Sequence, residues 1–448
     1  MQQNQVMQKQ EPKSAKGNGR LSPLSLLRLR DFRLLWLGQA ISLIGDQFYL
    51  IALPWLTLQL TGDALAVGTV LAIAGIPRAL FMLIGGAFTD RFSPRLIMMG
   101  TNLFRMVLVA VLAVMVWSGF IQLWHLYLFA LFFGLADAFF YPAQSAIVPQ
   151  ILERDALQTG NAIVQGTAQF SLFLGPVLAG ATIALFAKSG SGTDAVNYSG
   201  LAAAFAIDAA TFLVSTVSLW LIHCGLAETA VSTPKKPENV LPAIRAAIAY
   251  VGRDTILRAF TIINAAISIV MSGAIAVGIP ILANVRFSEG ATAFGLIMSA
   301  LGAGSLLGMV IAGSLPRPRV GLFGPVLLWV TAVSGFGLIL FPFLPTVWAA
   351  AATIFVMGIA SGYVTILLIT WLQMRIPPAM LGRMMSLIMF TSIGLAPVAN
   401  ALAGAILKMS LTGLFVGSGG LLLFVILVSL INPAVRAMPP NPSPQEGV

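Results

Sequence analysis

Charge is what this chain has least of. Of its 448 residues only 9% are Asp, Glu, Lys or Arg, against 58% hydrophobic, and a soluble domain carries roughly a quarter of its residues as charges. A soluble fold is excluded. There is a single cysteine, Cys224, so an internal disulfide framework and any multi-cysteine metal site are excluded as well. The two histidines, His125 and His223, fall near the ends of apolar runs, where a lone histidine is an interfacial residue. No metal cluster, nucleophile–base pair or cofactor motif appears, which leaves an enzyme as the most distant class of function. The first twenty residues are polar and lack the order of a cleavable signal peptide, so insertion is expected to rely on the first spanning helix.

What the chain has is long apolar runs. Each is about 20 residues or more, enough to cross a hydrocarbon core of roughly 30 Å as helix, whereas barrel strands need only about 10 alternating residues. Twelve spans are expected, at about 34 to 60, 65 to 88, 96 to 118, 122 to 147, 160 to 187, 200 to 223, 257 to 284, 291 to 315, 322 to 343, 347 to 374, 384 to 408 and 414 to 431. The even number puts both termini on one side. With that side cytoplasmic, every Lys and Arg lies there except Lys188, Arg286 and Lys408 outside and Arg78 and Arg105 within spans. The net charge of +10 is thus explained by topology, and no nucleic acid is expected as a partner.

The expected organisation is a cytoplasmic tail and interfacial segment at 1–33, a first six-helix bundle at 34–223, a polar cytoplasmic linker at 224–256, a second bundle at 257–431 and a cytoplasmic tail at 432–448. An internal repeat supports the division. Gly38 to Leu56 aligns without gaps on Asn264 to Leu282, matching Ala-Ile-Ser near the start and Pro54 with Pro280 near the end. Continuing, Gly86 falls on Gly313, Asp90 on Arg317 and Gly134 on Gly358.

Ionisable groups inside spans are the informative residues, because each costs at least about 2.5 to 3.5 kcal/mol unless paired or wet. They are unevenly placed. Asp46, Arg78, Arg105, Asp137 and Asp208 all lie in the first half, and the repeat sets Asp46 against Ser272, Asp137 against Ser361 and Asp208 against Ser418. One half keeps the acids and the other has hydroxyls. Gly302, Gly304, Gly308, Gly358 and Gly362 lie within apolar runs and lack a following Lys-Ser/Thr, so they read as helix contacts and not a phosphate loop.

The most specific motif is Gly86-Ala-Phe-Thr-Asp90-Arg91-Phe-Ser-Pro-Arg95 between the second and third spans. It resembles the loop between helices 2 and 3 of the major facilitator superfamily. Asp31 to Trp36, Gly45-Asp46, Ala52-Leu53-Pro54-Trp55, Tyr141-Pro142-Ala143 and Val148-Pro149 look like the bacterial branch that includes macrolide efflux pumps and enterobactin exporters. The resemblance implies an all-α integral membrane fold, two six-helix bundles related by a pseudo-two-fold axis. It also implies export of a hydrophobic or amphiphilic small molecule against proton influx, with no cofactor beyond the proton gradient. The expected partners are that substrate, protons and the bilayer, and the expected form is a monomer in the inner membrane.

By the same resemblance spans 1, 4, 7 and 10 line a central cavity, so Asp46 and Asp137 are candidates for proton coupling. The other reading of each acid is a partner for Arg78 or Arg105 that holds helices together. Arg78 neutralises an acid or holds an anionic substrate group, the former being favoured. Arg105 and Asp208, on spans 3 and 6, are expected to form a peripheral structural pair. Gly175-Pro176 resembles the glycine–proline motif of antiporters and, with Pro397, marks a hinge. Phe139, Phe140, Tyr141 and Trp371 are candidate substrate contacts, with packing against neighbouring helices the alternative. At the cytoplasmic side Gly86, Asp90, Arg91 and Arg95 form a gate whose latches are Asp90 with Arg383, and Arg317 or Arg319 with Glu153 or Asp155. Proton-driven export leads; a lysolipid or lipid flippase of the same fold is the alternative.

Overall fold

The structure, a computed structural model, describes residues 23–89, 91–153, 156–186, 197–222, 249–315, 323–376, 384, 391 and 394–432. Among them there is no strand, and eleven helices are long and apolar enough to cross a membrane. After a helical turn at Pro23–Leu26 these are α1 Arg30–Thr61, α2 Ala64–Thr89, α3 Pro94–Trp117, α4 Leu123–Ile151, α5 Leu157–Leu185 and α6 Tyr198–Leu221. The second set is α7 Thr255–Arg286, α8 Ala291–Ser314, α9 Phe323–Leu340, α10 Val347–Arg375 and α12 Leu411–Ile431. The shorter α11, Ala396–Leu407, is the described part of the span expected at 384 to 408. Cys224 and His223 lie outside the described residues.

Helices are the form an apolar chain takes where water cannot satisfy its backbone, and the ends are marked by residues suited to ending them. Gly62 adopts φ 62°, which only glycine does cheaply, and its N–H donates to the Leu58 carbonyl to stop α1. Asp254 caps α7 by accepting from the N–H groups of Ile256 and Leu257. Within α7 the backbone widens to a π-helical turn at Ala274–Gly278 just before Pro280. Proline has no N–H to donate and crowds the carbonyl four residues back, so the turn preceding it opens.

Helix packing repeats with a shift of six. In the first set α2 packs on α4, α3 on α6 and α1 on α5 and α6; in the second, α8 packs on α10, α9 on α12 and α7 on α11 and α12. Two seams join the bundles, α2 against α11 and α5 against α8, and these too are related by the shift. Both seams depend on glycine. A Cβ on Gly68 would fall on the Asn400 carbonyl, and one on Gly295 would fall on the Pro176 carbonyl, so the helix backbones touch. In the second seam the Val177 N–H donates to Ser299 Oγ at 2.8 Å.

These contacts gather toward one face of the molecule, the face carrying Gly62, the Phe287–Gly290 turn and Lys408. There Trp55 stacks on Phe294, Gln59 donates to Asn284 and Asp63 pairs with Lys408 across the bundles. Toward the opposite face, which carries Arg91 and Glu153, α2 turns Leu80 and Ile84 outward at 66% and 53% exposure. The bundles are joined at the Gly62 face.

Candidate functional site

Asp137 on α4 stands at the centre of a buried charge cluster. Its Oδ1 forms an ion pair with Arg105 of α3, and its Oδ2 lies 3.4 Å from the Arg78 guanidinium of α2. Arg105 is sealed from solvent, its side chain 1% exposed. Phe133 and Phe140 are seven residues apart, hence on one face of α4. With Phe212 of α6 they surround the guanidinium at 5.3, 4.2 and 5.6 Å. Aromatic faces and a carboxylate together replace the water that a buried guanidinium loses.

Beside this pair lie two acids with no cation on them. Gly45 brings α1 against α6, because a Cβ there would strike Thr211 and crowd the Asp208 carboxylate, and the neighbouring Asp46 thereby comes alongside Asp208. Asp208 is wholly buried, and neither of its carboxylate oxygens accepts a hydrogen bond. The adjacent Thr211 hydroxyl donates instead to the backbone carbonyl of Asp208, at 2.7 Å. Asp46 Oδ1 and the Tyr49 hydroxyl are also buried without a partner. Tyr49 holds its ring 4.0 Å from Phe133, stacked, which ties α1 to the aromatic wall around Arg105. Asp46, Asp137 and Asp208 act electrostatically on one another and feel Arg105. Three carboxylates thus face two guanidiniums.

The arrangement departs from the sequence expectations in several places. Arg105 does not pair with Asp208: its long side chain passes between Phe133, Phe140 and Phe212 to reach Asp137 on α4. Phe140 is buried over Arg105 and Trp371 is wholly buried beside Arg375, so both rings serve arginines and present no face to a substrate. Phe139 packs edge-on against Phe88, and Tyr141, half-buried, against Phe140. Arg95, expected in the gate, donates from its guanidinium to the Leu219 and Trp220 carbonyls at 2.7 Å and caps the end of α6. Arg91 and Glu153 are exposed, and Gly86 has open space around it. Asp90, Asp155, Arg317, Arg319 and Arg383, and so both proposed latches, lie outside the described residues.

Of the hinge residues, Pro176 and Pro397 sit on the seams and Gly175 faces α1 within the first bundle. Gly175 accommodates the Gln47 side chain of α1, the Pro176 carbonyl meets Gly295, and the Pro397 ring fills the space beside Gly75. In the second bundle Ser272, the counterpart of Asp46, makes a neutral contact instead, donating to Asn400 Oδ1 at 3.3 Å, and on the same helix Asn264 Nδ2 donates to Thr391 Oγ1 at 3.2 Å. A cavity of about 430 Å³ lies between α1 and α5, lined by Trp36, Ala40, Ile44, Ile163, Gly166 and Phe170 among others. Trp36 Nε1 donates to Thr167 Oγ1 at its edge.

Three contacts went unread in the sequence. Tyr49 is one, hidden because nothing in spacing gives the azimuth of a helix. Another is the buried pair of Asp254 with Arg375, Nη2 to Oδ2 at 2.6 Å, which staples the start of α7 to the end of α10. A carboxylate one residue before an apolar run was its available signal. The third is Asp63 with Lys408, an acid and a base from different bundles that meet at the Gly62 face.

The family model described as Major Facilitator Superfamily matches residues 35–399. An "Enterobactin exporter EntS" from Salmonella typhimurium is 26% identical over 423 residues, 91% of this chain and 95% of that protein. A protein of the same name from Escherichia coli O157:H7 is 25% identical over 440 residues, covering 95% and 98%. Among solved structures, the nucleoside transporter NupG superposes with a TM-score of 0.67 at 13% identity, covering 89% of this chain and 99% of that one. The peptide transporter POT in complex with sulfate gives 0.67 at 14% identity, covering 93% and 99%.

Proposed function

This chain belongs to the major facilitator superfamily, and from that premise we propose that it is a proton-coupled exporter of hydrophobic or amphiphilic small molecules, working by alternating access. That it is a multi-pass membrane transporter of small molecules follows from the family and from the apolar helices. Proton coupling is carried by one observation, the cluster of three carboxylates and two guanidiniums buried in the first bundle. Asp137 is held by both arginines, so Asp46, half-buried and without a counter-ion on its Oδ1, is the coupling residue. It takes a proton from one side and releases it to the other after the bundles rock. No cofactor is needed, because each elementary charge moved inward contributes about 2.3 kcal/mol per 100 mV of membrane potential.

The direction of transport is supported by the names of the relatives, which are exporters, and the orientation by the basic residues at the Arg91 face. Both termini are then cytoplasmic and the Gly62 face is external, so the conformation described here is closed outside. An amphiphilic substrate is favoured by the apolar cavity between α1 and α5, with the Trp36 indole at its edge. Two latches, Asp90 with Arg383 and Arg317 or Arg319 with Glu153 or Asp155, close the cytoplasmic side in the alternate state.

The test is flux in proteoliposomes containing a pH-sensitive dye, with enterobactin, a macrolide and a lysophospholipid as probes. Wild-type protein is expected to accumulate a probe only under an imposed pH gradient and to move protons with it. Asp46→Asn is expected to keep counterflow and lose gradient-driven accumulation. Gradient-independent transport by the wild type sinks proton coupling, and movement of the lysophospholipid alone selects a flippase.

A further inference from the structure

The five clustered ionisable side chains inside the first bundle, three of them fully buried, do not balance. Asp46, Asp137 and Asp208 bring three negative charges and Arg78 and Arg105 two positive ones, so the cluster is neutral only when one proton is added. Geometry says which acids lack a cation. Both arginines are committed to Asp137, from α2 and α3. Asp208 is within electrostatic reach of Asp46 and Tyr49 of α1, Arg105 of α3 and Asp137 of α4. The Thr211 hydroxyl lies beside its carboxylate but donates to the Asp208 backbone carbonyl at 2.7 Å, so by geometry neither carboxylate oxygen accepts a hydrogen bond. It is wholly buried, whereas Asp46 is only half-buried. A carboxylate left ionised and unpartnered in such a place costs several kcal/mol, while a protonated one is neutral.

We propose that Asp208 is a second proton-holding residue of the transport cycle, sharing with Asp46 the one proton that makes the buried cluster neutral. This rests on the proton-coupled reading and changes what it requires. Asp46 is the member that meets the path between the bundles; Asp208 is the enclosed member, reached only through it. Transfer breaks the O–H bond of one carboxyl and forms that of the other, so the cluster keeps its charge while the proton waits out of reach of either aqueous side. Gly45 is what makes the sharing possible, since a side chain there would push α6 away. The repeat places Ser272 and Ser418 opposite these two acids, so the second bundle has no equivalent store.

Infrared difference spectroscopy of the purified full chain near neutral pH reads the protonated-carboxyl band directly, without any substrate. Wild type is expected to show it. Asp208→Asn leaves two acids against two arginines, so the band is expected to vanish although Asp46 is intact. Asp208→Glu keeps the carboxyl and the band, which separates loss of the proton from misfolding. Arg78→Gln removes a positive charge and is expected to enlarge the band. A band absent from the wild type, or unchanged in Asp208→Asn, overturns the proposal. The proton-coupled reading fails separately, if wild-type proteoliposomes move a probe without moving protons.

Discussion

Lys408, just after α11, stands 3.2 Å from Asp63, just before α2, and so ties the second bundle to the first at the Gly62 face. Asp63 also caps α2, accepting from the Leu65 N–H, which fixes its carboxylate toward the seam. Nearby, Gln59 donates to Asn284 at 3.1 Å and joins α1 to α7. These polar ties hold the rim, while the seams beneath it are closed by backbone contacts.

Breaking the rim is expected to shift, not destroy, the closed state. Both side chains of the Asp63–Lys408 pair remain substantially exposed, and exposed pairs contribute about 0 to 1 kcal/mol. Lys408→Asp therefore raises the population open at the Gly62 face by up to about fivefold. Spin-label distances between the adjoining ends of α2 and α11 measure this. Asp63→Lys combined with Lys408→Asp restores the original distribution; if the single variants leave it unmoved, the pair is incidental.

Obstructing one seam is expected to open the other. A side chain on Gly404 meets the Ala64 carbonyl in the α2–α11 seam, and if the bundles rock as bodies the α5–α8 seam takes up the displacement. In a Cys224→Ala background, Ser299→Cys reports on the α5–α8 seam, where Ser299 is buried. Adding Gly404→Val should speed alkylation of that cysteine severalfold. An unchanged rate means the obstructed seam yields locally.

Removing Arg105 is expected to cost up to about 3 to 5 kcal/mol, because buried Asp137 then keeps only the 3.4 Å contact with the half-buried Arg78. Arg105→Leu then lowers the melting temperature strongly in detergent. Arg105→Lys does not rescue it, since a point charge cannot fill the space between three rings as a planar guanidinium does. Arg105→Leu with Asp137→Leu recovers much of the loss, and failure to recover argues that the rings, not the charge pair, dominate.

Asp254 does two things, and its variants should separate them. Its Oδ1 caps α7 while its Oδ2 pairs with Arg375. Asp254→Asn keeps the cap and loses the charge. Asp254→Ala loses both and is expected to be less stable by about a further 1 kcal/mol. Equal melting temperatures for the two would remove the cap from the account.

What the sequence yielded, and what it withheld, divides by dimension. Length and hydropathy act along one axis, so the spans, the repeat and the confinement of acids to the first bundle could all be read from residue order. The partner of Arg105 could not. Residues 105 and 208 lie on helices that do pack together, but a side chain as long as arginine's can cross to a third helix, and only the placement of Phe133, Phe140 and Phe212 decides that it does. Asp208 was misassigned for the same reason. Phe140 and Trp371 looked like substrate rings because composition does not tell a ring facing a cavity from one covering an arginine.

The glycine seams carry a mechanical consequence. Where Gly68 meets the Asn400 carbonyl and Gly295 meets that of Pro176, backbone lies on backbone, with few long side chains to disengage before one helix rolls past the other. Such a contact behaves as a bearing: dispersion and weak Cα–H···O attraction change gradually with angle, so rotation meets little friction. The energy that distinguishes one end of the stroke from the other must then be stored away from the axle, in the charges at the rim and in the charge cluster inside the first bundle.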